Sequence, residues 1–181
     1  GRPPFGPAAS FAPAELQAVL TTNLLAPMTL THALLPHLQA RARAQVIFVG
    51  SVMGAIGLPG YSAYCASKFG LRGYAQALRR ELATDTLRIQ YLGPRSTRTA
   101  FNDGAAQQYN HATGSAIDEP QVAADALLHM LEDESPERFL GMPEKFAVRA
   151  NGLAPRWLDG AFKRHRRALS DATGVHLVNE G

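Results

Sequence analysis

Three residues of this chain could do proton chemistry together: Ser51, Tyr64 and Lys68. Tyr64 and Lys68 stand four apart, and on a helix residues at i and i+4 share a face. A phenol titrates near pH ~10 and by itself is a poor acid or base at neutrality. An ammonium one turn away favours the phenolate and lowers that value. A serine hydroxyl beside the pair can hydrogen-bond the oxygen that the tyrosine protonates or deprotonates. Such a set suits proton transfer at an alcohol or carbonyl, the companion step to hydride transfer. Tyr and Lys at this spacing are often only surface neighbours, and a serine upstream carries little alone. The flanking elements give the combination its weight.

Gln45 to Gly50 reads QVIFVG, a short β-branched run that predicts a buried parallel strand. From Ala63 the pattern predicts a helix with Phe69, Leu71, Tyr74, Leu78 and Leu82, ending near residues 83–85. The loop between them is punctuated by Gly54, Gly57, Pro59 and Gly60. Ser51 therefore falls at the carboxyl end of a strand, and Tyr64 and Lys68 on the first turns of the next helix. In open α/β sheets ligands bind outside the carboxyl ends of the strands.

Around this centre, residues 13–39 carry apolar positions at three and four, a helix that Pro27 and Pro36 should bend or divide. Asn23 lies within it. His32 and His37, five apart, make a poor metal pair and read as polar or dimer-contact residues. Residues 87–93, LRIQYLG, predict the next strand, followed by the loop GPRSTRT. Arg95 and Arg98 in that loop could meet a pyrophosphate or an acidic substrate, or simply be solvated. Residues 101–119 are polar and rich in small residues, the composition of a lid or binding loop, with Tyr109, Asn110 and His111 as candidates to face substrate. Pro120 opens a helix with Asp118 as its cap, and a last short strand is expected over residues 138–140, followed by a turn through Gly141. In the tail, Leu158, Phe162, His165 and Leu169 share one face amid Arg156, Lys163, Arg164, Arg166 and Arg167. That helix either docks on the domain or lies on an anionic membrane surface. Residues 174–181 are expected to fray.

With 181 residues, 46% of them hydrophobic, and a net charge of +3, the chain suits one folded domain with a sizeable core and carries no nucleic-acid stripe. Its single cysteine, Cys65, excludes an internal disulfide and a multi-cysteine metal site; a packed helix thiol is the reading, and no metal is expected. No run is expected to reach the ~18 apolar residues of a membrane span. The opening GRPPFGPAAS has no apolar core of a signal peptide, so a cytoplasmic protein is the expectation. No G-x-G-x-x-G precedes a helix.

Ser51 at a strand end, followed by Tyr64-x-x-x-Lys68, resembles the active-site region of the short-chain dehydrogenase/reductase family. The resemblance implies Tyr64 as acid/base, Lys68 as the residue that holds the nicotinamide ribose and lowers the tyrosine value, and Ser51 as the group that orients the substrate oxygen. It matches Asn23 to the asparagine that distorts its helix and supports a proton relay to the lysine. It places Pro94, Thr97 and Thr99, with Tyr64 and Lys68, at NAD or NADP. Where the family carries two serines at the strand end, Gly50 stands in place of the first, and Arg95 replaces a glycine. The resemblance also implies that the glycine-loop half of the domain is not in residues 1–181, so the chain by itself should bind a dinucleotide poorly.

The reading is an α/β, Rossmann-like doubly wound parallel sheet, its C-terminal portion only: a single truncated domain with a loop over 1–12, a catalytic part over 13–154 and a terminal helix and tail over 155–181. The implied activity is NAD(P)-dependent interconversion of a hydroxyl and a carbonyl on a small-molecule alcohol or carbonyl substrate. The expected assembly is a homo-oligomer through the helices around Asn23 and Tyr64. The rival is a catalytically silent fragment serving as an oligomerisation or binding module.

Overall fold

The structure, a computed structural model, describes residues 5–83, 86–99 and 104–175, the side chains of Trp157 and Leu158 excepted. Helix α1 (Pro13–Leu20) opens with proline on its first turn, where a missing N–H leaves no ladder bond unmade, and with the Glu15 carboxylate accepting the Ala12 N–H at 2.8 Å. It continues through one wide π turn, Thr21–Leu25, into α2 (Ala26–Gln39). The cause is Pro27, which cannot give the N–H that the Asn23 carbonyl would accept in an α-helix. The ladder widens instead, and the Ala26 N–H reaches back to the Thr21 carbonyl. The division expected at Pro27 is thus a π turn with Asn23 at its centre, while Pro36 sits inside α2 without dividing it.

Strand β1 (Ala44–Val49) is followed by a 3-10 turn over Val52–Gly54 and by α3 (Ser62–Glu81). Then come β2 (Leu87–Gly93), α4 (Gly104–Thr113), α5 (Pro120–Asp133) and β3 (Glu137–Phe139). The chain closes with α6 (Met142–Leu153), α7 (Pro155–Leu158), a 3-10 turn and α8 (Lys163–Thr173). The strands form one parallel sheet in the order β1-β2-β3, with Phe48 opposite Tyr91 and Gly93 opposite Phe139. Parallel neighbours need a crossover, and α3 and α5 supply them.

Alternation along the strands decides which helix covers which face. Val46, Phe48, Ile89 and Tyr91 turn to one side, into a core with Leu71, Ala75 and Leu78 of α3. Ile47 and Leu92 turn to the other, against Ala126 and Met130 of α5. One helix layer on each face makes the sheet doubly wound. The terminal α8 docks through Ala168 and Leu169 against Tyr61, Tyr64 and Tyr109.

Three expectations need correction. The polar stretch after residue 101 is not all loop: residues 104–113 form α4, whose buried face is Ala106, Tyr109 and Asn110, and residues 100–103 lie outside the described residues. That face has helical spacing but includes an amide, so an apolar pattern does not show it. A further helix, α6, follows Gly141 where only a turn was expected. Third, Pro13–Gln39, 27 residues long with a window of mean hydropathy 1.3, is apolar and long enough to cross a membrane by length and composition. Here it packs on α3, where Leu24 lies so near Gly70 that a Cβ on that glycine would come within 2.8 Å of the leucine.

Candidate active site

The carboxyl end of β1 is stitched to the segment after β2. The Gly50 N–H donates to the Leu92 carbonyl at 2.8 Å, and the Val52 N–H to the Pro94 carbonyl at 2.9 Å. Ser51, between them, is buried, and its Oγ caps the 3-10 turn by accepting the Met53 N–H at 3.1 Å. Its main chain is held by Tyr91: the phenol accepts the Ser51 N–H at 3.0 Å and donates to the Ser51 carbonyl at 2.8 Å. A Cβ on Gly50 would lie 2.1 Å from that phenol oxygen, which is why glycine occupies the position where the resemblance has the first of two serines.

Tyr64, on the first turn of α3, is buried, and its phenol is hydrogen-bonded to the Ser51 side chain. Burial pushes its pKa up to about 12; the Ser51 hydrogen bond pulls the other way, and the neighbouring Cys65 adds to the rise. The Lys68 ammonium lies 5.6 Å from the Tyr64 ring centroid and donates one long bond, 3.4 Å, to the Val49 carbonyl. It is itself pushed down by burial. Burial, rather than the Lys68 charge that the spacing suggests, is the largest influence on the Tyr64 phenol, and Ser51 is the group that lowers it. Asn23 is tied to the same turn: its Nδ2 donates to Ser67 Oγ at 3.2 Å, and Ser67 Oγ donates to the Tyr64 carbonyl at 2.7 Å.

Ser51 and Tyr64 share a pocket of about 130 Å³ with Pro94, Thr97 and Thr99. The structure thus gathers these five predicted residues at one opening, while Lys68 and Asn23 do not line it. The loop is fastened. Thr97 pairs with Asp118, the Arg98 N–H donating to the Asp118 carbonyl at 2.8 Å and the Asp118 N–H to the Ser96 carbonyl at 2.8 Å. Arg95 does not stand ready for a pyrophosphate: it donates to both Asp118 carboxylate oxygens at 2.8 and 2.6 Å and lies 3.5 Å from Glu144. Arg98 donates to Glu119 at 2.6 Å. Asp118, expected as a helix cap, is spent on Arg95, and Glu119 takes the cap position without a side-chain bond.

Two tyrosines escaped the sequence reading. Tyr91 reads as an ordinary strand residue, and only the register reveals its bond to Ser51. Tyr61 lines the pocket, its ring 6.3 Å from that of Tyr64 and 5.8 Å from that of Tyr109. Its position three residues before Tyr64, at the cap of the same helix, was the available signal. Of the three residues expected to face substrate, Tyr109 is buried in this aromatic cluster, Asn110 is buried, and His111 is exposed. Cys65 is buried, and burial pushes its thiol up, as a packed thiol requires.

The family model described as short chain dehydrogenase matches residues 1–110. Among curated proteins, an uncharacterized oxidoreductase, YbbO, of Escherichia coli is 30% identical over 120 residues, covering 66% of this chain and 44% of the relative. Retinol dehydrogenase 5 of Mus musculus is 39% identical over 94 residues, covering 52% of this chain and 29% of the relative. Among solved structures, a short chain dehydrogenase from Burkholderia cenocepacia in complex with NADP superposes with a TM-score of 0.75 at 20% identity, over 90% of this chain and 65% of the other, a likeness of fold. The chain spans less than half the length of both curated relatives.

Proposed function

This chain belongs to the short-chain dehydrogenase family, and on that footing we propose that it carries the catalytic part of an NAD(P)-dependent oxidoreductase that interconverts a hydroxyl and a carbonyl group. The observation that carries the reading is the Tyr64 phenol hydrogen-bonded to the Ser51 side chain on the wall of a pocket at the carboxyl ends of β1 and β2. Ser51 Oγ accepts the Met53 N–H, and its own proton faces the Tyr64 oxygen, so a substrate oxygen entering between the two takes over that proton as its hydrogen bond. With a pKa near 12, Tyr64 holds its proton at neutral pH and is set to deliver it to a carbonyl oxygen at that position.

The residues fit the nicotinamide end of the cofactor. The Lys68 ammonium makes one long bond to Val49, which leaves N–H donors for ribose hydroxyls. Thr97, Thr99 and the Pro94 segment border the same pocket, where the carboxamide would lie. Bound there, a nicotinamide supplies or takes up the hydride. Asn23, through Ser67, holds the turn that carries Tyr64 and thereby its direction.

The test is Tyr64→Phe in protein that joins residues 1–181 to a glycine-loop half, with NADH or NADPH oxidation measured against a panel of ketones. Loss of turnover by roughly a hundredfold or more is expected, the span of one positioned acid, with the melting temperature retained. A folded variant that turns over like the parent would overturn the assignment. A second reading, a silent oligomerisation module, is favoured by the exposed Leu20, Leu25, Leu30 and Leu34 of the first helices and Phe69 of α3. Absence of turnover in that parent with the glycine-loop half present and the cofactor bound, assembly being intact, would select it.

A further inference from the structure

A second cavity, of about 400 Å³, abuts the catalytic pocket, and the two share Met53, Arg95 and Ser96 on their walls. Volumes of roughly 300–1,000 Å³ are those of small-molecule sites. Its apolar lining comes from three parts of the chain: Val52, Ile56 and Leu58 after β1, Pro143 and Ala147 of α6, and Phe162 before α8. The polar groups are few and particular. Asn110 is 4% exposed, and its Nδ2 has no hydrogen-bond partner among the described residues; the same holds for His165 Nδ1. A buried amide N–H without an acceptor is unfavourable, so Asn110 is a donor awaiting one. The cavity's guanidinium, Arg95, is already shared between Asp118 and Glu144 and has little attraction left for an anion. His165 is held toward its neutral form by burial, then by Arg164.

We propose that this chamber receives the body of the substrate, and that the substrate is an uncharged, mainly apolar ketone or alcohol carrying a hydrogen-bond acceptor for the Asn110 amide some way from the reacting carbon. The proposal rests on the oxidoreductase reading for the reacting end, and on the chamber alone for the body. The reacting oxygen sits at Ser51 and Tyr64, and the chain of the molecule passes Met53 and Ser96 into the apolar space. A terminal carboxylate is disfavoured there because Glu144 is on the wall and the Arg95 charge is balanced.

Calorimetric titration of methyl alkyl ketones, lengthened one methylene at a time and measured without cofactor, tests it. Affinity should rise about fourfold per methylene and level off once the chamber is full. The ω-carboxylate of a long member should bind more weakly than the neutral ketone. Ala147→Trp, checked for an unchanged melting temperature, should abolish the gain with length while leaving the shortest ketones as in the parent. Asn110→Leu should weaken a keto ester by about fivefold and leave the simple ketones unaffected. Affinity independent of length in the parent, or a gain undiminished in folded Ala147→Trp, overturns the proposal. If long ketones bind as described yet are not reduced with NADH or NADPH by residues 1–181 joined to a glycine-loop half, the chamber stands and the oxidoreductase reading falls. If short ketones are reduced while binding is independent of length, the oxidoreductase reading stands and the chamber falls.

Discussion

The phenol of Tyr91 hydrogen-bonds both main-chain polar groups of Ser51, accepting the N–H at 3.0 Å and donating to the carbonyl at 2.8 Å. Ser51 is thereby held as a strand neighbour would hold it, but by one side chain arriving from β2. Removing the phenol oxygen leaves two buried main-chain groups without their partner. Tyr91→Phe should destabilise the fold by roughly 2 kcal/mol, read as a shift in the urea midpoint. It should also lower kcat more than it raises KM, because the Ser51 hydroxyl loses its fixed direction. A variant with parental stability and kcat would show that the bonds do not matter.

The same phenol explains Gly50. Gly50→Ser brings a Cβ to 2.1 Å from Tyr91 Oη, so overpacking of roughly 1–3 kcal/mol or more is expected. In a Tyr91→Leu background the added hydroxymethyl group should be tolerated better. A double-mutant cycle measures this, and additive effects would contradict the coupling.

Alkaline pH should unfold the protein. Tyr64 is raised to about 12, and burial raises Tyr61, Tyr91 and Tyr109 as well. The folded chain therefore keeps these protons at a pH where the unfolded chain, with phenols near ~10, releases them. Their contribution to stability is whole below pH ~10 and is lost as pH rises toward the folded values. Urea midpoints should be flat across the neutral range on account of these groups and fall steeply above pH ~10. A midpoint unchanged between ~10 and ~12 would refute it.

Arg95 pins the loop that borders both cavities. Its side chain is 23% exposed and that of Asp118 12%, so the pair is largely shielded from solvent. Arg95→Ala leaves Asp118 and Glu144 facing one another without a cation. Destabilisation of roughly 2–4 kcal/mol is expected, and Asp118→Asn together with it should restore part of the loss. Thermal melts of the two variants decide.

If the first helices form the subunit contact, Leu25→Glu with Leu30→Glu should dissociate it. These leucines are 55% and 60% exposed in the single chain. Light scattering should show a multimer for the parent and a monomer for the pair. An unchanged mass would place any contact elsewhere.

Local pattern was legible where one residue's type decided one element. LRIQYLG is the second strand as read, and Ser51, Tyr64, Pro94, Thr97 and Thr99 do meet at one opening. What stayed hidden depended on partners remote in sequence. Arg95 looked free for an anion because Glu144 joins it only after β3 and α6 are in place. Tyr91 acquires its role from the register that sets it opposite Phe48, which strand propensity does not specify. The Tyr64 value went the other way from the spacing argument because desolvation depends on the whole aromatic cluster around it. Helix α4 was obscured because part of its inner face is an amide.

The π turn at Thr21–Leu25 sets a phase. An α-helix turns about 100° per residue, and a widened turn accommodates one residue more than the regular ladder would. Side chains on α1 are thus rotated by about that angle from where an unbroken helix would put them relative to α2. Deleting Thr22 would take up the extra residue, with Pro27 still unable to give its N–H, and swing α1 through the same angle. Asn23 would lose Ser67, and the leucines of α1 would face a different quarter of the molecule. This stretch should therefore tolerate substitution far better than a change of length.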